Sequence, residues 1–122
     1  MDEKHLIGLV YTPRVADSRE FLSSLVEPLG IRDRHWFVAA TELDGDRREM
    51  ASTSTIIVAG GDGTILRVAR VSAQFGVPIV GVNMGRVGFM TELTPDDAAR
   101  RLPGYLGGEA RVEERMMLQA TV

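Results

Sequence analysis

The chain has no cysteine among its 122 residues. That excludes disulfides and thiolate metal sites, and it fits a reducing compartment such as the cytoplasm. Aromatic residues are few, at 6%. Charge of one sign is not in excess: 14 Lys and Arg stand against 17 Asp and Glu, a net charge of −3, so there is no electrostatic case for a nucleic-acid partner. No apolar run approaches the length that crosses a bilayer, which leaves no call for a membrane. The opening MDEKHLIGLVYTP is too charged, and its apolar run too short, for a secretory signal. Asparagine occurs once, at Asn83, and the two histidines, His5 and His35, lie at strand starts with no ligand partners beside them. What remains is a chain 44% hydrophobic, long enough for one domain with a real core.

That hydrophobicity falls into alternating elements. Leu6–Tyr11, His35–Ala39, Thr55–Ala59 and Ile79–Val82 read as four short apolar strands, three of them without polar alternation. Phe21, Leu22, Leu25, Val26 and Leu29 recur at helical spacing. Asp17, Ser18 and Glu20 offer a cap at the start of that helix, and Pro28 and Gly30 its end. A second helix is predicted over Thr64–Phe75, stopped by Gly76 and Pro78. A third starts at Thr94-Pro95-Asp96-Asp97 and runs to about Leu106. Residues 40–53 are ambiguous, with a turn at Asp44-Gly45-Asp46 and a short helix near Arg47–Ala51. Buried strands alternating with helices predict an α/β fold: an open, mostly parallel sheet with helices on both faces, which binds ligands beyond the carboxyl ends of its strands. Near the end of the chain, Met116, Leu118, Ala120 and Val122 alternate with Arg115, Met117, Gln119 and Thr121, the period of an antiparallel strand with one wet face.

The third strand runs into Gly60-Gly61-Asp62-Gly63-Thr64. Glycines there can take positive φ, let a ligand approach the backbone, and gather N–H groups into an anion nest at the start of the next helix. Such a loop suits phosphate, yet a carboxylate repels phosphate. Asp62 therefore points to phosphoryl transfer, either as acceptor of a proton from an attacking hydroxyl or as holder of a metal ion that itself holds phosphate. The plain alternative is a tight turn in which Asp62 caps the helix. The stretch is neither a P-loop, since its last glycine is not followed by the Lys-Ser/Thr pair, nor the dinucleotide fingerprint, since Leu66 stands where the third glycine belongs. After the fourth strand comes a second glycine-punctuated loop, Val80–Glu92, VGVNMGRVGFMTE. In it Asn83 tolerates unusual backbone angles and Phe89 offers a face to a ring, or else Phe89 and Met90 simply fill core. Arg14, after the first strand and at the same end of the sheet, can meet a phosphate, and equally well can be a solvated loop cation.

The two loops together carry a resemblance. GGDGT after an apolar strand, followed by Leu66 and Arg67, is similar to the signature of the NAD kinase family, and related loops occur in diacylglycerol, sphingosine and 6-phosphofructokinases. Gly-Val-Asn-x-Gly-x-x-Gly-Phe, at Gly81–Phe89, resembles the second NAD kinase motif. The resemblance implies a Rossmann-like N-terminal domain over residues 1–110 and, over 111–122, the first strand of a β domain whose remainder is absent. It implies transfer of the γ-phosphoryl of ATP, with Mg²⁺, to the 2′-hydroxyl of the adenosine ribose of NAD. Asp62 is then the proton acceptor. Gly60, Gly61, Gly63 and Thr64 form the phosphate and nucleotide loop. Leu66, Arg67 and Asn83 lie at the nucleotide site, and Phe89 and Met90 line the adenine pocket. No protein residue is assigned to a metal. The resemblance also implies a cytoplasmic homo-oligomer, a dimer or tetramer. The family's Asn-acid pair, which helps hold the ribose, is not in these 122 residues, because Met84 follows the single asparagine. The chain by itself is therefore expected to be an inactive part of the enzyme. Two rival readings remain: a lipid kinase of the diacylglycerol type, and a non-catalytic nucleotide-binding module.

Overall fold

The computed structural model describes residues 5–43, 48–84, 95 and 100–103. Its centre is a four-stranded sheet of β1 (Leu6–Tyr11), β2 (His35–Ala39), β3 (Thr53–Gly60) and β4 (Ile79–Asn83), in the order β2-β1-β3-β4. Every pairing is parallel, as the unbroken apolar strands require. Two helices connect the strands: α1 (Ser18–Leu29) between β1 and β2, and α2 (Asp62–Ser72) between β3 and β4.

Period-2 alternation sorts the strand side chains into two cores. Ile7, Leu9, Ile57, Ala59, Val80 and Val82 face one side, where Leu22 and Leu25 of α1 cover them. Leu102 joins this cluster from a helical stretch at 100–103. Val10, Trp36, Val38, Ile56, Val58 and Ile79 face the other side, covered by Ile65, Val68 and Ala69 of α2. Gly8 exists to make room: a Cβ there would stand 2.4 Å from Cζ2 of Trp36. The buried indole donates from Nε1 to Thr53 Oγ1 (2.8 Å), which in turn donates to Glu49 O (2.7 Å). That chain of bonds is why β3 begins at Thr53, two residues before the apolar run.

The glycine stops behave as expected. Gly30 is left-handed at φ 67°, its N–H donating to Glu27 O, while Ile31 N–H reaches Val26 O. Gly76 repeats this Schellman arrangement at φ 66°, with Val77 N–H on Ser72 O. The predicted cap of α1 does not form. Asp17 is itself helical in φ and ψ and makes no side-chain cap bond. The buried Ser18 hydroxyl instead donates to Thr12 O (2.8 Å) and Val15 O (2.9 Å), tying the helix start to the loop after β1. Pro28 lies inside the last turn of α1 rather than beyond it. The short helix expected near Arg47–Ala51 is a 3₁₀ turn at Arg48–Ser52, and a second 3₁₀ turn at Ala40–Glu42 follows β2. His35 is a packing residue: its Nδ1 lies 2.8 Å from Ile31 O. The turn expected at Asp44-Gly45-Asp46, most of the third helix, the strand at 111–122 and the domain boundary before it lie outside the described residues.

Candidate functional site

Because all four strands run the same way, their carboxyl ends open on one edge. The loop after β1, the 3₁₀ turn after β2 and the start of α2 meet there. The strand order also turns at this point, since β1 is flanked by β2 on one side and β3 on the other, the place where α/β sheets leave a crevice.

Two expectations about the glycine stretch need correction. It is not a five-residue loop: β3 runs through Gly60, Gly61 alone is the helix cap, and Asp62 already lies in the first turn of α2. Nor does it use positive φ. Gly61 is extended (φ −121°, ψ −167°), and among the described residues only Gly30 and Gly76 are left-handed. The helix begins two residues early because Asp62 suits its positive end and Ile65, Val68 and Ala69 are drawn into the core, which outweighs the poor helix propensity of Gly63. A helix start still leaves its first N–H groups without intrahelical partners.

The three glycines differ in why they are small. A Cβ on Gly60 would stand 2.9 Å from Thr64 Oγ1 and 3.0 Å from Thr64 Cβ, so this position is dictated by internal packing. A Cβ on Gly61 or Gly63 would meet nothing within 4 Å. Neither is glycine on account of its own protein's contacts or of a left-handed backbone. Both line an open cleft of about 750 Å³.

From the β1 loop that cleft takes Thr12, Arg14 and Val15; from the turn after β2, Ala40 and Thr41; and from the start of α2, Gly61, Gly63, Thr64, Leu66, Arg67 and Arg70. Gly63, Leu66, Arg67 and Arg70 recur at i, i+3, i+4 and i+7, a single stripe of the helix. Among the described residues, three arginines thus line the cleft, and no acid does. Arg67 donates from Nε to Ala40 O (2.8 Å), which fastens α2 to the turn after β2. Arg70 did not emerge from the sequence reading, although its place on the stripe of Gly63 and Arg67 was a signal available there.

Asp62 is half-buried and is not among the cleft-lining residues, although Gly61 and Gly63 on either side of it are. It shares its helical stripe with Ile65 and Ala69, which point into the core. Asp62 stands two residues past the end of β3, which pairs with β4. Gly60 and Asn83 are register partners there, and Met84 N–H donates to Gly60 O (3.3 Å). The structure therefore brings Gly60, Gly61, Asp62, Gly63, Thr64, Leu66, Arg67 and the backbone of Asn83 to one edge. Phe89 and Met90 lie outside the described residues. No helix among the described residues is long and apolar enough to cross a membrane.

The family model of the ATP-NAD kinase N-terminal domain matches residues 10–110. A protein named NAD kinase from Dehalococcoides mccartyi strain BAV1 is 39% identical over 117 residues, covering 93% of this chain and 40% of that protein. NAD kinase of Methylococcus capsulatus is 38% identical over 121 residues, covering 94% of this chain and 42% of that protein. NAD kinase of Desulforamulus reducens is 51% identical over 72 residues, which cover 59% of this chain. The chain spans about two fifths of the length of relatives matched over most of its own length. It belongs to the ATP-NAD kinase N-terminal domain family.

Proposed function

We propose that this chain supplies the phosphate-binding and proton-accepting half of an NAD kinase, which moves the γ-phosphoryl of ATP onto the 2′-hydroxyl of the adenosine ribose of NAD, giving ADP and NADP. The observation that carries the reading is the placing of Asp62 between two glycines whose missing side chains leave open space. Phosphoryl transfer needs backbone that phosphate can approach, a positive environment, and one base aimed at the attacking oxygen. The Gly61–Gly63 backbone and the arginine-lined cleft meet the first two needs. Asp62, on the adjoining stripe, meets the third. It takes the proton of the 2′-hydroxyl as that oxygen bonds to the γ-phosphorus, the bond from phosphorus to the β,γ-bridging oxygen breaks, and ADP leaves with the electron pair. Leu66 and the residues near Asn83 flank the acceptor, and Phe89 and Met90 face its adenine.

Among the described residues, Asp62 is the one carboxylate of the glycine turn and the cleft lining, which fits Mg²⁺ arriving on the phosphates with few protein ligands of its own. When bound, Mg²⁺ supplies charge neutralisation between the donor phosphates. The working enzyme in this reading is a cytoplasmic homo-oligomer, a dimer or tetramer, a state that light scattering on the assembled protein decides.

The test is a chimera in which this chain replaces the matching segment of the Dehalococcoides mccartyi relative. The chimera should form NADP from ATP, Mg²⁺ and NAD, with the new phosphate on the 2′-oxygen by ³¹P NMR. A folded chimera that binds NAD and makes no NADP would overturn the proposal.

A further inference from the structure

Arg14 and Arg70 are both exposed, and among the described residues neither side chain forms an ion pair. They line the same cleft as Arg67, whose guanidinium is already engaged by the turn after β2. Three like charges around one opening, with no acid among its described lining residues, repel one another. Nothing in the packing requires them there: Arg70 is on the outer stripe of α2, and Arg14 is in a loop held in shape by the Ser18 hydroxyl and by Val15 N–H on Thr12 O (3.1 Å). An anion with several charges relieves that repulsion. The glycines Gly61 and Gly63, open on the same cleft, let such an anion reach the backbone.

We infer that Arg14 and Arg70 grip the linked phosphates of the phosphoryl donor in this cleft, while the acceptor nucleotide lies on the other side of Asp62, against the ends of β3 and β4. The inference rests on the kinase reading and adds to it a division of the site. Two arguments assign the cleft to the donor. A triphosphate carries more negative charge than the diphosphate bridge of NAD and so gains more from the guanidiniums of Arg14 and Arg70. And Asp62, which has to meet the acceptor hydroxyl, does not line the cleft, so the hydroxyl and the phosphate chain approach from different sides, as in-line displacement requires. Arg67 is a positioning residue here. It holds the turn that forms the far wall, leaving its two neighbours to meet the ligand.

Calorimetric titration of this chain with inorganic tripolyphosphate, with ATP and with NAD, at low and at high salt, tests the inference. Tripolyphosphate and ATP should bind, more weakly as salt screens the exposed guanidiniums, and NAD should bind with little dependence on Arg14 or Arg70. Arg14→Gln and Arg70→Gln should each weaken tripolyphosphate and ATP by about tenfold or more, as expected when a charged hydrogen-bond donor is lost. Arg32→Gln is the charge-matched control. Arg32 pairs with Glu27 just before β2, at the opposite end of the sheet, and its loss should leave binding unchanged. Because Arg14 and Arg70 are exposed, their variants should melt within a few degrees of the parent. Tripolyphosphate that fails to bind, that binds the Arg14→Gln/Arg70→Gln protein as tightly as the parent, or that is weakened equally by Arg32→Gln overturns the inference. NAD that loses as much affinity as ATP overturns the division of the site. The chimera separates this result from the kinase reading: NADP formation without arginine-dependent binding removes only the inference, and arginine-dependent binding without NADP formation removes only the kinase reading.

Discussion

Replacing each glycine of the strand-to-helix turn with alanine separates those the fold needs from those the ligand needs. In Gly60→Ala the new methyl would stand 2.9, 3.0 and 3.2 Å from Oγ1, Cβ and Cγ2 of Thr64. Thr64 is β-branched and in the first turn of α2, so it has few rotamers in which to retreat, and its Cβ cannot move without its backbone. Overpacking of this kind costs roughly 1–3 kcal/mol. At about 4 °C per kcal/mol for a chain of this length, that is a fall in Tm of roughly 4–12 °C. Thr64→Ala in the same molecule removes the oxygen and the methyl but leaves the 3.0 Å contact to Cβ, so it should restore part of the loss. Gly63→Ala meets nothing within 4 Å and replaces the poorest ordinary helix former with the best. It should be neutral or stabilising by up to about 1 kcal/mol. Gly61→Ala, extended but at the cap, should lie within about 1 kcal/mol of the parent, alanine being the weaker cap and glycine the looser unfolded residue. Both methyls project into the cleft, so affinity for tripolyphosphate should fall even where stability does not. Thermal melts by circular dichroism, followed by titration calorimetry, read the two effects separately. A parent-like Tm for Gly60→Ala, or a loss of more than about 2 kcal/mol for Gly63→Ala, would refute the reasoning about which glycine serves which purpose.

Other consequences are independent of that set. Gly8→Ala drives a methyl to 2.4 Å from Cζ2 of an indole that is held by Thr53, so the urea midpoint should drop by an amount equivalent to about 3 kcal/mol with m unchanged; a parent-like midpoint would contradict the packing of β1 on Trp36. Arg67→Ala should cost about 1 kcal/mol and speed amide exchange at Leu43, whose N–H shares the Ala40 carbonyl with Arg67; Arg67→Lys, lacking the planar fork, should not restore slow exchange. The 122-residue chain by itself should form no NADP above background from ATP, Mg²⁺ and NAD, and robust formation would show that no Asn-acid pair is needed to hold the ribose.

The strands were legible because each is a compact apolar run. Parallel pairing followed from the lack of alternation, and Gly30 and Gly76 announced the helix ends through a backbone need that only glycine meets cheaply. The true start of β3 was not legible. Thr53 is buried for the sake of the Trp36 indole, a contact 17 residues away in sequence that no local period encodes. The cap at Asp17 misled because Ser18 found better acceptors in Thr12 and Val15, on a loop whose path only the tertiary fold sets. In the site, Asp62 stood out because a carboxylate is unexpected in a glycine turn whose pattern suits phosphate. That it is not among the residues lining the cleft, as both its neighbours are, depends on which stripe of α2 the core takes. Arg70 was missed because an arginine on an amphipathic helix looks like any solvated cation until the cleft beneath it is seen.

The central claim is that Asp62 is the base of a phosphoryl transfer and not merely the first-turn acid of α2. Its most direct test is the rate constant for NADP formation by the chimera carrying Asp62→Asn. The substitution keeps size and hydrogen-bonding shape, so the variant should melt with its parent and bind NAD comparably, while kcat falls by about a hundredfold or more, the scale on which positioned general bases act. A well-folded Asp62→Asn chimera with the kcat of its parent would contradict the account.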